Sequence, residues 1–311
     1  MQLTIALGDY AHTRTLISGA TLQYDGHTVN VRRVTDTPAG IFSRAREEPP
    51  PFDVTEMSLA TTYVLTDRRD TRFIALPVFP SRMFRHAAFY VRDSNLRPEQ
   101  LRGKRLGVER YGMTAAVWAR SLLAKNFGIA PTDVTWWIGE EQFFQPPGIT
   151  LNSAGGKSAL EAMLVEGELD CLLSVDEPPA FRKGQVHRLF PDFGAEERAE
   201  FLRTGLYPIM HCVLVKRALT ESEPWLRGFL QQAFEAAKAE ALDWLLDMDA
   251  SSLPLPFQHT WANEVRELLG EDPWPYGIAD NHGVLAFFGG LMFEQGLTSR
   301  ALTPEEVFPA G

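Results

Sequence analysis

The sequence predicts an α/β protein of two lobes, with mixed sheets flanked by helices and a ligand cleft between the lobes. Short apolar strands alternate with helical segments along most of the chain, which is the pattern of sheets covered by helices. The chain has 311 residues, 45% of them hydrophobic, which is enough for two cores. Two segments, 78–92 and 207–215, each contain a histidine, and we interpret them as crossovers between the lobes.

The first part of the chain alternates strands and helices. Strands are predicted at 3–7, 29–34, 52–54 and 73–78, and helices from about His12, at 38–46 and at 58–66. Glu56 is placed in the loop before the last of these helices, which Ser58 can cap.

The middle part repeats this alternation. Strands are predicted at 87–91, 104–108, 133–139 and 169–175, and helices at 114–127 and 157–166, with 140–156 as a loop. Further helices are predicted at 222–249 and 281–295. One lobe is therefore expected to comprise residues 1–86 and 212–311, and the other residues 87–211.

Composition excludes several classes of partner. The net charge of −10 argues against binding to nucleic acid or to an anionic membrane surface. No apolar run approaches the ~18 residues of a spanning helix, and no secretory leader pattern is present at the start. Cys171 and Cys212 each lie in an apolar run, which favours core thiols in a reducing compartment. We therefore expect a cytoplasmic protein.

A cationic cluster marks the first crossover. Arg82, Arg85 and His86 follow an apolar strand, and open α/β sheets place ligands at strand ends. A guanidinium binds a carboxylate at two points, and histidine is a proton donor near neutral pH. His211 opens the apolar strand of the second crossover, so we expect His86 and His211 to face each other across the cleft. The alternative for the first cluster is a solvated basic loop, and for His211 a hydrogen-bonded core histidine.

Glu56 has several possible roles. It can orient a histidine, accept a proton from a substrate hydroxyl, or cap the following helix. With His86 and His211 it can also form a two-histidine, one-carboxylate metal site, although no short ligand spacing supports one. Cys212 should point away from His211, because neighbouring side chains in a strand leave opposite faces. Further expected substrate contacts lie at strand ends and helix starts: Tyr10, His12, Ser58, Tyr111, Thr114 and Asp176.

Several motifs come in a characteristic order: "GDY", "FDVTEMSL", "PVFPSRMFRH", "GKRLGVERYGMTAAVW", "YPIMH", "DPWPYG" and "EQGLTSRALTPEEVF". Together they resemble the 4,5-dihydroxyphthalate decarboxylase family, across nearly the whole chain. The resemblance implies the type II periplasmic-binding-protein fold, a cytoplasmic enzyme, removal of a carboxylate from a hydroxylated aromatic diacid, and no organic cofactor.

The chain also departs from the pattern of that family. Ala11 and His12 stand where the family usually has Asp-Arg, and residues 109–112 read Glu-Arg-Tyr-Gly in place of Pro-Glu-Tyr-Gln. Asp176 lies in the region where the family usually has an arginine. These changes remove two cations suited to a dianionic phthalate and add an anion.

We therefore expect a cofactor-independent decarboxylase of a phthalate-like or other electron-rich carboxylic acid. Arg82 and Arg85 would hold carboxylate, His86 or His211 would donate a proton, and Glu56 would orient or accept one. Two alternatives stay open: an elimination, dehydration or isomerisation on the same scaffold, and a non-catalytic organic-acid-binding protein. The expected partner is a small carboxylic acid, and a homodimer is possible.

Overall fold

The computed structural model describes residues 1–17, 19–24, 26–34, 36–140, 146–245, 247 and 256–310. Within these residues, the strands form two six-stranded mixed sheets with helices packed around them. This arrangement confirms the predicted α/β architecture.

The first sheet has the strand order β2-β3-β1-β4-β12-β5. Its strands are β1 (Gln2–Ala6), β2 (Thr21–Tyr24), β3 (His27–Val34), β4 (Val54–Ser58), β5 (Phe73–Arg82) and β12 (Ile209–Lys216). Strand β1 runs parallel to β3 and β4, whereas β12 is antiparallel to both β4 and β5. The late strand β12 thus lies in the middle of a sheet formed mainly by the start of the chain.

The second sheet has the order β11-β6-β10-β7-β8-β9. Its strands are β6 (Phe89–Val91), β7 (Arg105–Val108), β8 (Thr135–Ile138), β9 (Leu151–Ser153), β10 (Cys171–Leu173) and β11 (His187–Arg188). Strands β7 to β10 are parallel, and β6 is antiparallel to β10 and β11. The carboxyl ends of β7, β8, β9 and β10 therefore share one edge of the sheet.

The helices are α1 (Arg14–Ile17), α2 (Pro38–Arg44), α3 (Leu59–Asp67), α4 (Thr114–Phe127), α5 (Lys157–Glu166), α6 (Pro179–Arg182), α7 (Phe193–Thr204), α8 (Arg217–Ser222), α9 (Leu226–Leu245), α10 (Gln258–Leu269), α11 (His282–Glu294) and α12 (Pro304–Val307). Helix α4 has the predicted bounds and ends at Gly128, whose φ of 65° suits a glycine.

Helix α4 contributes to two hydrophobic cores. Val117 and Trp118 pack into the core of the first sheet, and Ala119 and Leu123 pack into the core of the second. A helix that buries two faces need not show a single apolar stripe. Helix α4 therefore connects the two halves of the molecule.

The chain passes between the sheets twice. Strands of the first sheet come from residues 2–82 and 209–216, and strands of the second from residues 89–188. The passages are therefore residues 83–88 and 189–208. The bounds of the two lobes at 86/87 and 211/212 stay a prediction.

Two local predictions are corrected. The strand predicted at 52–54 is β4 (Val54–Ser58), so Glu56 lies inside a strand and not in a loop. The loop predicted at 140–156 contains β9, while its residues 141–145 lie outside the described part. Both cysteines are buried free thiols, as predicted. None of the described helices combines the length and the apolar character needed to cross a bilayer.

Candidate active site

Glu56 is a fully buried carboxylate with three donors around it. Its Oε2 atom accepts a hydrogen bond from the Gly8 amide at 2.7 Å, and its Oε1 atom accepts one from the Tyr10 hydroxyl at 2.7 Å. Burial acts to raise the pKa of Glu56, but the attraction of His211 and these hydrogen bonds prevail and hold the pKa below its ordinary value. The site therefore contains a buried negative charge.

His211 binds this carboxylate through one ring nitrogen. Its Nδ1 atom lies 2.5 Å from Glu56 Oε1, and the Phe42 ring packs edge-on against the imidazole at 4.9 Å. We assign the Nδ1 proton to the bond with Glu56 from this geometry. Within the described chain, the Nε2 atom has no hydrogen-bond partner, and the side chain is 17% exposed. Nε2 is thus the atom available for proton transfer.

Strand register explains why these groups converge. Residues opposite each other in an antiparallel pair share a face, and His211 pairs with Ser58 of β4 and with Ser81 of β5. Glu56 lies two positions before Ser58 and therefore points to the same face. Tyr10 and the Gly8 amide follow the carboxyl end of β1, next to β4.

Tyr10 and His12 extend the site. Burial, followed by the charge of Glu56, raises the pKa of Tyr10, so its hydroxyl stays protonated. The His12 ring stacks on Tyr10 at 5.5 Å, its Nε2 lies 3.0 Å from the Pro80 carbonyl oxygen, and burial lowers its pKa. We call Gly8, Tyr10, His12, Glu56 and His211 the Glu56 cluster.

His86 does not join this cluster. Its ring packs edge-on against Phe190 at 5.3 Å, and burial lowers its pKa. Arg85, the residue before it, lies 3.2 Å from the sulfur of Met210. Met210 and His211 are neighbours in β12, at a position where the pairing of β12 with β5 is irregular. None of the contacts described here joins His86 to His211, and the facing of the two histidines across one gap stays a prediction.

The alternative metal site lacks a third ligand among the described residues. In the described residues, no three His, Cys, Asp or Glu side chains come together to hold a metal ion. Glu56 and His211 are paired, but the third expected ligand, His86, lies elsewhere.

The two arginines of the first crossover have different surroundings. Arg82 is 5% exposed, and its guanidinium donates to the Pro275 carbonyl at 2.7 Å and to Asn281 Oδ1, so it has a structural role. Arg85 donates to the sulfur atoms of Met210 and Met83, and no carboxylate of the described chain lies within 4.0 Å of it. Burial lowers the pKa of each arginine to about 10.

Three predicted substrate contacts lie in the protein interior. The Thr114 hydroxyl lies 2.8 Å from that of Ser58 and accepts a hydrogen bond from the Ala60 amide at 2.9 Å. These contacts connect the first turn of α4 to the first turn of α3, and they occupy the groups expected to bind a ligand. Tyr111 is fully buried under the Arg120 guanidinium, which lies 3.7 Å from the centre of its ring.

Asp176 lies among several charged side chains at the carboxyl edge of the second sheet. It forms an ion pair with Lys157, whose Nζ is also 3.8 Å from Glu109 Oε2. Arg110 lies 3.7 Å from Glu109. The negative charge that Asp176 adds is therefore opposed by Lys157.

Lys157 and the Gly8 amide were not predicted as site groups. The "GGKS" segment that contains Lys157 fails as a phosphate loop, because Leu151 occupies the position of the first glycine. Lys157 comes shortly after strand β9, and a residue after a strand is a candidate for a ligand site. Strand β9 has only three residues, so the sequence pattern does not predict it. The role of the Gly8 amide is visible only once Glu56 is known to face it.

No family model matches the chain. A curated relative, 4,5-dihydroxyphthalate decarboxylase of Comamonas testosteroni, is 37% identical over 321 residues, which cover 99% of this chain and 96% of the relative. A 4,5-dihydroxyphthalate decarboxylase of Pseudomonas putida is 35% identical over 205 residues, which cover 62% of this chain and 78% of that protein.

Solved structures with similar folds are periplasmic-binding-protein-like. The alkanesulfonate-binding protein SsuA of Xanthomonas axonopodis pv. citri has a TM-score of 0.55 and 15% identity, covering 98% of this chain and 97% of that chain. The Candida albicans CA3427 gene product, which exhibits the generic periplasmic binding protein fold, has a TM-score of 0.54 and 10% identity, covering 99% and 93%. These similarities confirm the predicted fold.

Proposed function

Because the chain belongs to the 4,5-dihydroxyphthalate decarboxylase family, we propose that it is a carboxy-lyase acting on a phthalate-like aromatic acid. The observation that carries the mechanism is the contact between buried Glu56 and His211. A buried carboxylate that binds Nδ1 fixes the imidazole and leaves Nε2 for proton transfer, which is the arrangement of an oriented acid–base histidine.

We place the substrate between the carboxyl edges of the two sheets. Open α/β sheets bind ligands at these edges, and the Glu56 cluster follows β1 and β4. Lys157, Glu109 and Arg110 lie at the corresponding edge of the second sheet. Lys157 and Arg110 are the cations at this edge that the carboxylates of a diacid could contact, in place of their present partners Asp176, Glu109 and Glu140.

His211 is the proposed proton donor. Nε2 gives its proton to the ring carbon that bears the departing carboxylate, and a ring electron pair forms the new C–H bond. A hydroxyl para to that carbon supplies electron density. The C–C bond then breaks, its electron pair restores the aromatic ring, and carbon dioxide leaves. Glu56 stabilises the charged imidazolium before the transfer, and water reprotonates His211.

The test is an assay of the purified chain with 4,5-dihydroxyphthalate and a panel of phthalates and hydroxybenzoates. We expect carbon dioxide release with stoichiometric formation of the mono-acid, which is 3,4-dihydroxybenzoate for the first substrate. Mass spectrometry distinguishes loss of carbon dioxide from loss of water. Tight binding of these acids without any turnover, or a dehydrated product, would contradict the assignment.

A further inference from the structure

A cavity of about 170 Å³ lies beside the two chain passages, and no residue of the Glu56 cluster lines it. Its walls include Arg85 and His86 of the first passage, Leu206 and Pro208 of the second, Trp118 of α4 and Phe287 of α11. We call this cavity the crossover pocket. Its lining comes from both passages and from helices associated with both sheets.

The pocket contains polar groups whose hydrogen-bonding capacity is unused. His86 is only 3% exposed, and within the described chain its Nδ1 atom has no hydrogen-bond partner. A buried polar atom normally has a partner, and one without it indicates a missing ligand or water. The thioether sulfurs that Arg85 contacts are weak acceptors. Both side chains can therefore bind an acceptor placed in the cavity.

The charges of the lining favour a single negative charge. Arg203 is paired with Glu200 at 2.5 Å, and Lys125 lies 3.8 Å from Glu294. Arg85 has no carboxylate of the described chain within 4.0 Å, although Glu197 is near enough to influence its charge. One guanidinium is therefore left without an acidic contact, and it presents the planar donor pair that suits a carboxylate.

The remaining walls are apolar and aromatic. The Trp118 and Phe287 rings stack at 5.9 Å, and Phe84 and Leu122 add to the apolar surface. A cavity of ~150 Å³ with apolar walls takes up benzene, so this cavity has room for one aromatic ring with a small substituent.

We propose that the crossover pocket is a binding site for a small aromatic monocarboxylate, with its carboxylate on Arg85 and His86 and its ring among Trp118, Phe84 and Phe287. The site is separate from the Glu56 cluster, because none of the five residues of that cluster lines the pocket. The proposal goes beyond the proposed function and does not depend on it.

The test uses the purified full chain and 4-fluorobenzoate as the probe, with binding followed by fluorine NMR and by calorimetry. We expect binding to the wild type and equally to Glu56→Gln. Ser121 lines the pocket, so Ser121→Leu should abolish binding by filling it, whereas the matched Ser121→Ala variant should keep it. Arg85→Met should weaken binding by roughly 10-fold or more, because hydrogen bonds to charged groups are lost.

A comparison with a neutral ligand tests the proposal on the wild-type protein alone, so it does not require any variant to fold. Benzamide has nearly the shape of benzoate but no charge, so it should bind at least ~10-fold more weakly than benzoate to the wild type. A crystal soaked with 4-bromobenzoate should show bromine in the pocket. The proposal is overturned if no probe binds, if Glu56→Gln loses binding while Ser121→Leu keeps it, or if benzamide and benzoate bind alike.

Discussion

At His211, the two ring nitrogens have different surroundings. Nδ1 is held by Glu56 at 2.5 Å, and Nε2 is the atom proposed to protonate the substrate. We expect His211→Asn to lower kcat by ~10²–10⁴-fold with little change in KM, since a positioned general acid contributes about that factor. Steady-state kinetics with 4,5-dihydroxyphthalate measure this effect.

The matched control is His282→Asn, which changes an exposed histidine at the start of α11. It should have wild-type kinetics. Equal losses in the two variants would mean that the effect of the first is not specific to the site.

Glu56 should also make stability depend on pH. Its pKa in the folded protein is lower than the ~4.3 expected in the unfolded chain, so the carboxylate binds protons more weakly when folded. The stabilisation is therefore fully present above ~4.3 and is lost as the pH falls through the folded-state pKa.

Urea unfolding of the wild type and of Glu56→Gln at about pH 6 and about pH 3.5 provides the measurement. The wild type should be the more stable protein at the higher pH, and the difference should shrink at the lower one. A constant difference would show that Glu56 titrates alike in both states.

Within α11, two adjacent glycines have opposite surroundings. A Cβ atom on Gly289 would overlap the Leu302 carbonyl oxygen, whereas one on Gly290 would meet no described atom within 4 Å. Gly289→Ala should therefore destabilise the protein by about 1–3 kcal/mol through overpacking. Gly290→Ala should stabilise it by about 0.5–1 kcal/mol, because alanine loses less conformational freedom in a helix.

Thermal or urea unfolding of the two variants shows whether each substitution raises or lowers the stability of the protein. If both substitutions changed stability in the same direction, the close approach of α11 to residue 302 would not be present in solution.

Sequence predicts those elements that carry a local pattern, such as periodic apolar residues or a glycine at a helix end. Helix α4 was found with its bounds because Gly128 ends it. Strand β9 was missed because three residues between glycine-rich segments carry no periodic pattern. The segment around Glu56 was read as a loop because Thr, Glu and Ser interrupt the apolar run, although the first sheet buries all five residues of β4. The neighbouring strands supply the hydrogen bonds that make this possible.

Across the whole molecule, Arg82 connects distant parts of the chain. It lies at the end of β5 and donates to the Pro275 carbonyl and to Asn281, far along the sequence. Arg82→Met would leave Asn281 Oδ1 without its donor, so we expect a loss of about 1–3 kcal/mol in the free energy of unfolding. Arg85→Met removes only contacts with sulfur and should change stability much less.

Unfolding curves of the two methionine variants test this difference. A larger loss for Arg85 than for Arg82 would reverse the assignment of structural and ligand-binding roles.

The candidate site was predictable in part. The motifs identify the family and bring Glu56, Tyr10, His12 and His211 into consideration. Sequence could not show on which face of the crossover each side chain lies, because the pairing of β12 with β5 is irregular around His211. It therefore grouped His86 and Arg85 with His211, whereas the structure gives them separate surroundings. The cytoplasmic location and the lobe bounds stay predictions.

Strand β12 lies between the crossover pocket and the Glu56 cluster, because Met210 contacts Arg85 and His211 contacts Glu56. If an acid in the crossover pocket displaces Met210, the same backbone carries the displacement to His211. Thermodynamic linkage then requires the effect to be mutual: whatever factor the occupant applies to substrate affinity, bound substrate applies to the affinity of the occupant. An aromatic mono-acid that accumulates during turnover and binds the crossover pocket would then change the affinity of the enzyme for its substrate.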